Sequence, residues 1–149
     1  MRSRFRLLGH QRLQGQALIW VALMLPLFLS IIGLAIDGGI AFAERRELQN
    51  DADGAARAGA MQIDQQIYRS SRGATVVLDQ NAAHAAAIDY LSSQGSTFTA
   101  KVDVQSGQID VQLTRSMPTA FVRLVGISTM RMSATAEARP RHGITGQAP

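Results

Sequence analysis

Residues 17–36 read ALIWVALMLPLFLSIIGLAI, twenty consecutive residues without a charge. At ~1.5 Å rise per residue a helix of that length covers ~30 Å, the thickness of a bilayer's hydrocarbon core. Pro26 and Gly33 are poor choices for a helix in water. They are tolerated in a membrane, where neighbouring helices and local adjustment satisfy the freed carbonyl. Trp20 stands near the start of the run, where an amphipathic ring suits the headgroup level. The run is too long and too apolar for the buried helix of a soluble protein. A cleaved secretory signal is the stronger rival, because Ala41-Phe42-Ala43 has the small-x-small form of a cleavage site. Against it, the run exceeds the ~7–15 residues of a signal's apolar region. A retained transmembrane helix is therefore expected, with cleavage after Ala43 as the alternative.

Working outward, residues 1–16 carry Arg2, Arg4, Arg6 and Arg12 and no acid. The remaining basic residues equal the 11 acidic ones, so the whole net charge of +4 sits on this tail. A basic nucleic-acid face would need excess charge on the body of the protein, so no nucleic-acid partner is expected. Four arginines before the span, with a nearly balanced set after it, place residues 1–16 in the cytoplasm by the positive-inside rule. The rest of the chain then lies outside, and the lipid bilayer is its first partner.

Beyond the span comes Asp37, where the helix leaves the hydrocarbon, followed by Gly38-Gly39. Ala35, Gly39 and Ala43 form a small-xxx-small series, with two readings side by side: a face that permits close approach of another helix, and simply tolerated small residues. Leu48, Ala52, Ala55, Ala56 and Gly59 then fall at helical spacing and continue the helix to about residue 61. In ERRELQN (residues 44–50) two readings stand side by side, a contact juncture and a solvated helix surface held by charge pairs.

Three blocks in this region, GQALIWVALMLP (Gly15–Pro26), GLAIDGG (Gly33–Gly39) and ERRELQNDADGAARAGA (Glu44–Ala60), resemble the N-terminal region of Tad/Flp pilus-assembly proteins of the TadE/TadG-like type. The resemblance covers about a third of the chain. It implies a single-pass protein of the bacterial inner membrane with an extracytoplasmic domain, working beside other pilus-assembly or secretion subunits. It also marks Asp37, Gly38, Arg45, Arg46, Leu48, Gln49 and Asn50 as the family-motif juncture. Some relatives are cut by a prepilin peptidase after a Gly that is followed, five residues on, by Glu. Here Gly15 precedes Gln16 and the fifth position is Trp20, so an uncleaved protein is expected and a pilin-like subunit processed after Gly15 is the alternative.

The outer domain is expected over 62–139. Residues 62–77 read as a loop, with a short strand at Ala74–Leu78. Asp79 can cap a helix from about Gln80 to Ser93, with Ala83, Ala87, Ile88 and Leu91 on one face. The period then changes to two. Phe98–Val104 and Ile109–Thr114 alternate apolar and polar residues around Ser106-Gly107, a hairpin signature. Pro118 can start a short helix, Thr119–Val125, with Phe121, Leu124 and Val125 inward. Ile127–Ala138 alternates again, and residues 140–149 read as a disordered tail. The expected class is α+β: a transmembrane helix extended outward, then a helix packed on a three- or four-stranded antiparallel sheet.

Signs of catalysis are missing from the pattern. There is no Cys, hence no thiol nucleophile and no disulfide framework. His84 is the one histidine inside the expected domain, and it has no partner set. Asp51-Ala52-Asp53-Gly54 fails the calcium-loop pattern, because alanines occupy its fifth and sixth positions. No phosphate-binding loop is present. The expectation is a structural, non-enzymatic protein without cofactor, metal or small-molecule substrate. The alternative function is an anchored or secreted envelope binding module or adhesin.

Overall fold

The computed structural model describes residues 9–95 and 97–140. Half of the expected basic tail and nearly all of the expected C-terminal tail lie outside them. Helix α1 runs over Gly9–Ala60, followed by α2 (Gln65–Ser70), α3 (Gln80–Ser93), and strands β1 (Thr99–Gln105), β2 (Gln108–Pro118) and β3 (Thr129–Ala138). The class is α+β, as expected. The chain divides into two compact units. One holds the described residues up to Ile40 together with Thr119–Ser128. The other holds Ala41–Pro118 and the described residues from Thr129 onward.

In the first unit, the apolar part of α1 is long and hydrophobic enough to cross a membrane, and almost none of it is covered by the protein's own residues. Pro26 sits inside the helix. One turn on, Ser30 Oγ donates to the Pro26 carbonyl at 2.8 Å, an i−4 bond that occupies the hydroxyl inside the apolar run. The connector Thr119–Ser128 contains a single 3₁₀ turn, Val122–Val125, closed by Gly126 at φ +94°, a conformation that favours glycine.

The second unit is a meander in the order β1-β2-β3, antiparallel throughout. Ser106 and Gly107 make the β1–β2 turn between Gln105 and Gln108. Alternation puts Val104, Val102 and Ala100 of β1 opposite Ile109, Val111 and Leu113 of β2, which face Ala138, Ala136 and Ala134 of β3. All of this row except the exposed Ala100 packs on Leu48, Ala52, Ala55 and Ala56 of α1 and on Ala87 and Leu91 of α3. Bulk on β2 against alanines elsewhere lets the layers approach closely. Gly59 is one such close approach, since a Cβ there would collide with Ile109 Cδ1 and stand 3.0 Å from the Ala83 carbonyl oxygen.

Helix α3 starts as expected: Asp79 accepts the N–H groups of Asn81 and Ala82 at 3.1 and 3.0 Å. Ala83, Ala87 and Leu91 are buried, but Ile88 is exposed. Burial follows the i, i+4, i+8 row, and Tyr90 beside Gly54 covers its flank instead. The expected loop at 62–77 contains α2, capped by Asp64, and the expected strand at 74–78 is reduced to an Ile63–Leu78 bridge. The helix expected at Thr119–Val125 shrinks to its last turn. Pro118 instead ends β2 opposite Thr129, where its missing N–H costs no ladder bond further along. Phe121 is exposed to solvent over nearly half its surface rather than turned inward.

Candidate functional site

The part of α1 that follows the apolar run holds two clusters of polar side chains, each inside one unit. In the first unit, Asp37 is buried at 6% exposure directly after the apolar run. Its carboxylate accepts three backbone N–H groups of the connector: Ala120 at 3.1 Å, Phe121 at 2.8 Å and Val122 at 2.7 Å. These donors stand at the start of the 3₁₀ turn, where a helical segment has no acceptors of its own. Asp37 therefore caps a segment more than eighty residues away in sequence. The bond from Val122 N–H, above all, holds the Asp37 carboxyl below the usual carboxylate range, with Phe121 and Ala120 adding to it and burial opposing. Thr119 closes the base of the connector. Its N–H donates to Ser128 O at 3.1 Å and its hydroxyl to Ile127 O. Gly33, one turn before Asp37, leaves the space that Phe121 fills; a Cβ there would lie 2.7 Å from Phe121 Cβ.

In the second unit, Arg115 continues the inward row of β2, two residues after Leu113. Its Nη1 donates to Glu44 Oε2 at 2.5 Å, with Glu47 Oε1 at 3.8 Å, and its guanidinium stands 6.0 Å from the Phe98 ring centre. Glu44, Glu47 and Asp51 follow i, i+3, i+7 spacing on one face of α1. Asp51 is 7% exposed, and its Oδ2, like Arg115 Nε and Nη2, is buried without a hydrogen-bond partner. Burial, and then the charge of Glu47, push the Asp51 carboxyl above its ordinary range, against the pull of Arg115.

The residues singled out from the sequence fall into distinct places. Leu48 is fully buried in the core, and Gln49 bridges Asp53 and the carbonyl of Thr135 on β3, both at 3.1 Å. Arg45, Arg46 and Asn50 are exposed, as are Ala35, Gly39 and Ala43. Gly38 is half-buried with open space at its Cβ position, and Gly39 likewise has nothing within 4 Å. Gly15 and Gln16 are exposed. Ala35 and Gly39 lie two residues from Asp37, about 200° around the helix, so their face is turned away from the one that Gly33 and Asp37 give to the connector. His84 is exposed on α3. Sequence reasoning missed Arg115 and the connector. Arg115 had a readable signal, because it holds the next inward position of an alternating strand; the connector's partner, Asp37, had none.

No curated protein and no solved structure is matched by the chain. Residues 15–62 match the family model Tad, described as "Putative Flp pilus-assembly TadE/G-like", and this third of the chain therefore bears out the resemblance carried by the three blocks between Gly15 and Ala60.

Proposed function

We propose that the protein is a single-pass membrane component of a Flp/Tad-type pilus-assembly or related secretion apparatus, structural rather than catalytic. The observation that carries this reading is the family match over residues 15–62, a stretch that lies within α1 but for its last two residues. In this reading residues 1–16 stay in the cytoplasm, 17–36 cross the inner membrane and 37–61 leave it. Residues 62–139 form the extracytoplasmic domain that meets other subunits, and 140–149 form a tail. Ala35, Gly39 and Ala43 are the face on which a partner helix packs, an assignment supported by their exposure and small side chains. Asp37, Leu48 and Gln49 of the juncture hold the protein's own fold. Arg45, Arg46 and Asn50 remain free for partners. Deletion of the gene abolishes pilus formation or export, and a copy carrying Gly39→Leu restores neither while accumulating normally in membranes. Wild-type pilus numbers and export in the deletion strain refute the assignment.

A further inference from the structure

The connector Thr119–Ser128 joins two strands of a sheet, yet it groups with the apolar part of α1. Its sequence, TAFVRLVGIS, carries one charge, Arg123. Phe121 and Ile127 are 45% and 52% exposed, although short connectors in water are ordinarily polar.

The level of this loop along α1 is set by two contacts. Phe121 sits against Gly33, inside the uncharged run, and the N–H of Val122 sits on Asp37, just beyond it. Gly33 lies three residues before the end of the run at Ile36, ~4.5 Å along the helix axis. If residues 17–36 fill the hydrocarbon core, Phe121 stands level with its outermost few ångströms. Interfacial segments bury their apolar faces to about this depth.

Backbone in such a place needs internal partners, because lipid tails offer none. Six of the connector's ten N–H groups have such partners. The N–H groups of Ala120, Phe121 and Val122 are taken by the Asp37 carboxylate. Those of Thr119, Gly126 and Ile127 go to the carbonyls of Ser128, Arg123 and Val122. The hydroxyl of Thr119 is also occupied, by Ile127 O. Arg123 is exposed and, as a long side chain at this level, can extend to lipid phosphates.

We propose that the Thr119–Ser128 connector is a second membrane contact, immersed in the outer-leaflet interface beside the span through Phe121 and Ile127, with Asp37 as the internal cap that lets its backbone leave water. The occupant of its apolar surface is lipid, because that surface is continuous with the lipid-facing surface of the helix at the same level. This rests on residues 17–36 spanning the membrane, and the test separates the two claims. The chain has no Cys, so single cysteines at Ile127, Arg123, Leu27 and His84 can each carry a fluorophore in the full-length protein. The variants are reconstituted into phosphatidylcholine/phosphatidylglycerol vesicles with nitroxide-labelled lipids. Leu27, at mid-span, is quenched by a nitroxide deep in the acyl chain, and His84 on α3 by none. Ile127→Cys loses roughly half its emission or more to a shallow nitroxide, as a group at the headgroup boundary should, and Arg123→Cys loses less. Quenching of Leu27 with both connector positions behaving like His84 overturns the immersion and leaves the span standing. Absence of quenching at Leu27 removes both. An Ile127 label shielded from aqueous iodide but untouched by labelled lipid overturns the proposal in favour of a second protein copy on that surface.

Discussion

Arg115→Met removes the guanidinium while keeping an unbranched apolar stem, and it isolates what one buried charge contributes to the second unit. The side chain of Arg115 is 12% exposed, and that of Glu44 31%. Removing one member of a fully buried pair costs ~3–5 kcal/mol, mostly because the other charge is stranded. Glu44 can regain water, so its share is smaller. Asp51, at 7% exposure with Oδ2 unpartnered, cannot. The expected loss at pH 7 is therefore ~2–4 kcal/mol, between a surface pair and a fully buried one. For a domain of this size that lowers Tm by roughly 10–20 °C. Adding Asp51→Asn removes the stranded carboxylate and should return ~1 kcal/mol or more, whereas Asp51→Asn alone is close to neutral because it also forfeits the attraction of Arg115. The pH dependence has a definite sign. Burial and Glu47 hold the Asp51 carboxyl above its ordinary range while Arg115 draws it down, so without Arg115 it lies higher still. A carboxyl raised in the folded state binds its proton there first, so stability rises as pH falls through that raised range toward the unfolded value. The Arg115→Met deficit should accordingly shrink as pH falls from neutral toward the ordinary carboxylate range. The assay is thermal unfolding of the full-length chain in detergent, followed by the β-sheet circular dichroism signal. A Tm within ~2 °C of wild type at pH 7, or a large deficit that does not change with pH, refutes the reasoning.

Four further variants can be checked with the same preparation. Leu48→Ala empties a fully buried position and should cost ~2–5 kcal/mol in thermal unfolding. Gly59→Ala should destabilise by ~1–3 kcal/mol through the clash with Ile109 and the Ala83 carbonyl. By contrast Gly39→Ala, whose Cβ meets nothing, should be neutral or stabilise by up to ~1 kcal/mol, so equal effects at the two glycines would contradict the packing described. Asp37→Ala should speed hydrogen exchange of the Ala120, Phe121 and Val122 amides selectively, leaving β2 and β3 protected. In the wild type the same cap stays charged at neutral pH and is lost only as pH falls below the ordinary carboxylate range, because its carboxyl is held low.

The apolar run long enough to cross a membrane, the continuation of the helix beyond it, the Asp79-capped helix and the three alternating strands were all legible in the sequence. Each rests on a local code: a run length matched to a bilayer, a cap residue at a fixed offset, or a period of two. The family region was legible for a similar reason, since each of its three blocks is a continuous stretch of the chain. What failed to show was long-range. The pattern in Glu44–Asn50 supports a solvated surface as well as a juncture, and only the arrival of Arg115 from β2 separates Glu44, which is engaged, from Arg45 and Arg46, which are exposed. The helical part of Thr119–Val125 is one 3₁₀ turn, Val122–Val125, and the Asp37 carboxylate that takes the N–H groups at its start comes from more than eighty residues away, where no local pattern announces it.

The sequence by itself thus determined where the chain is apolar enough to cross a membrane, which strands alternate and in what order the elements come, because those depend on neighbours a few residues apart. Tertiary structure alone decided what Asp37 and Arg115 are for. A buried charge takes its meaning from the group that satisfies it, and here those groups lie on segments more than seventy residues away along the chain.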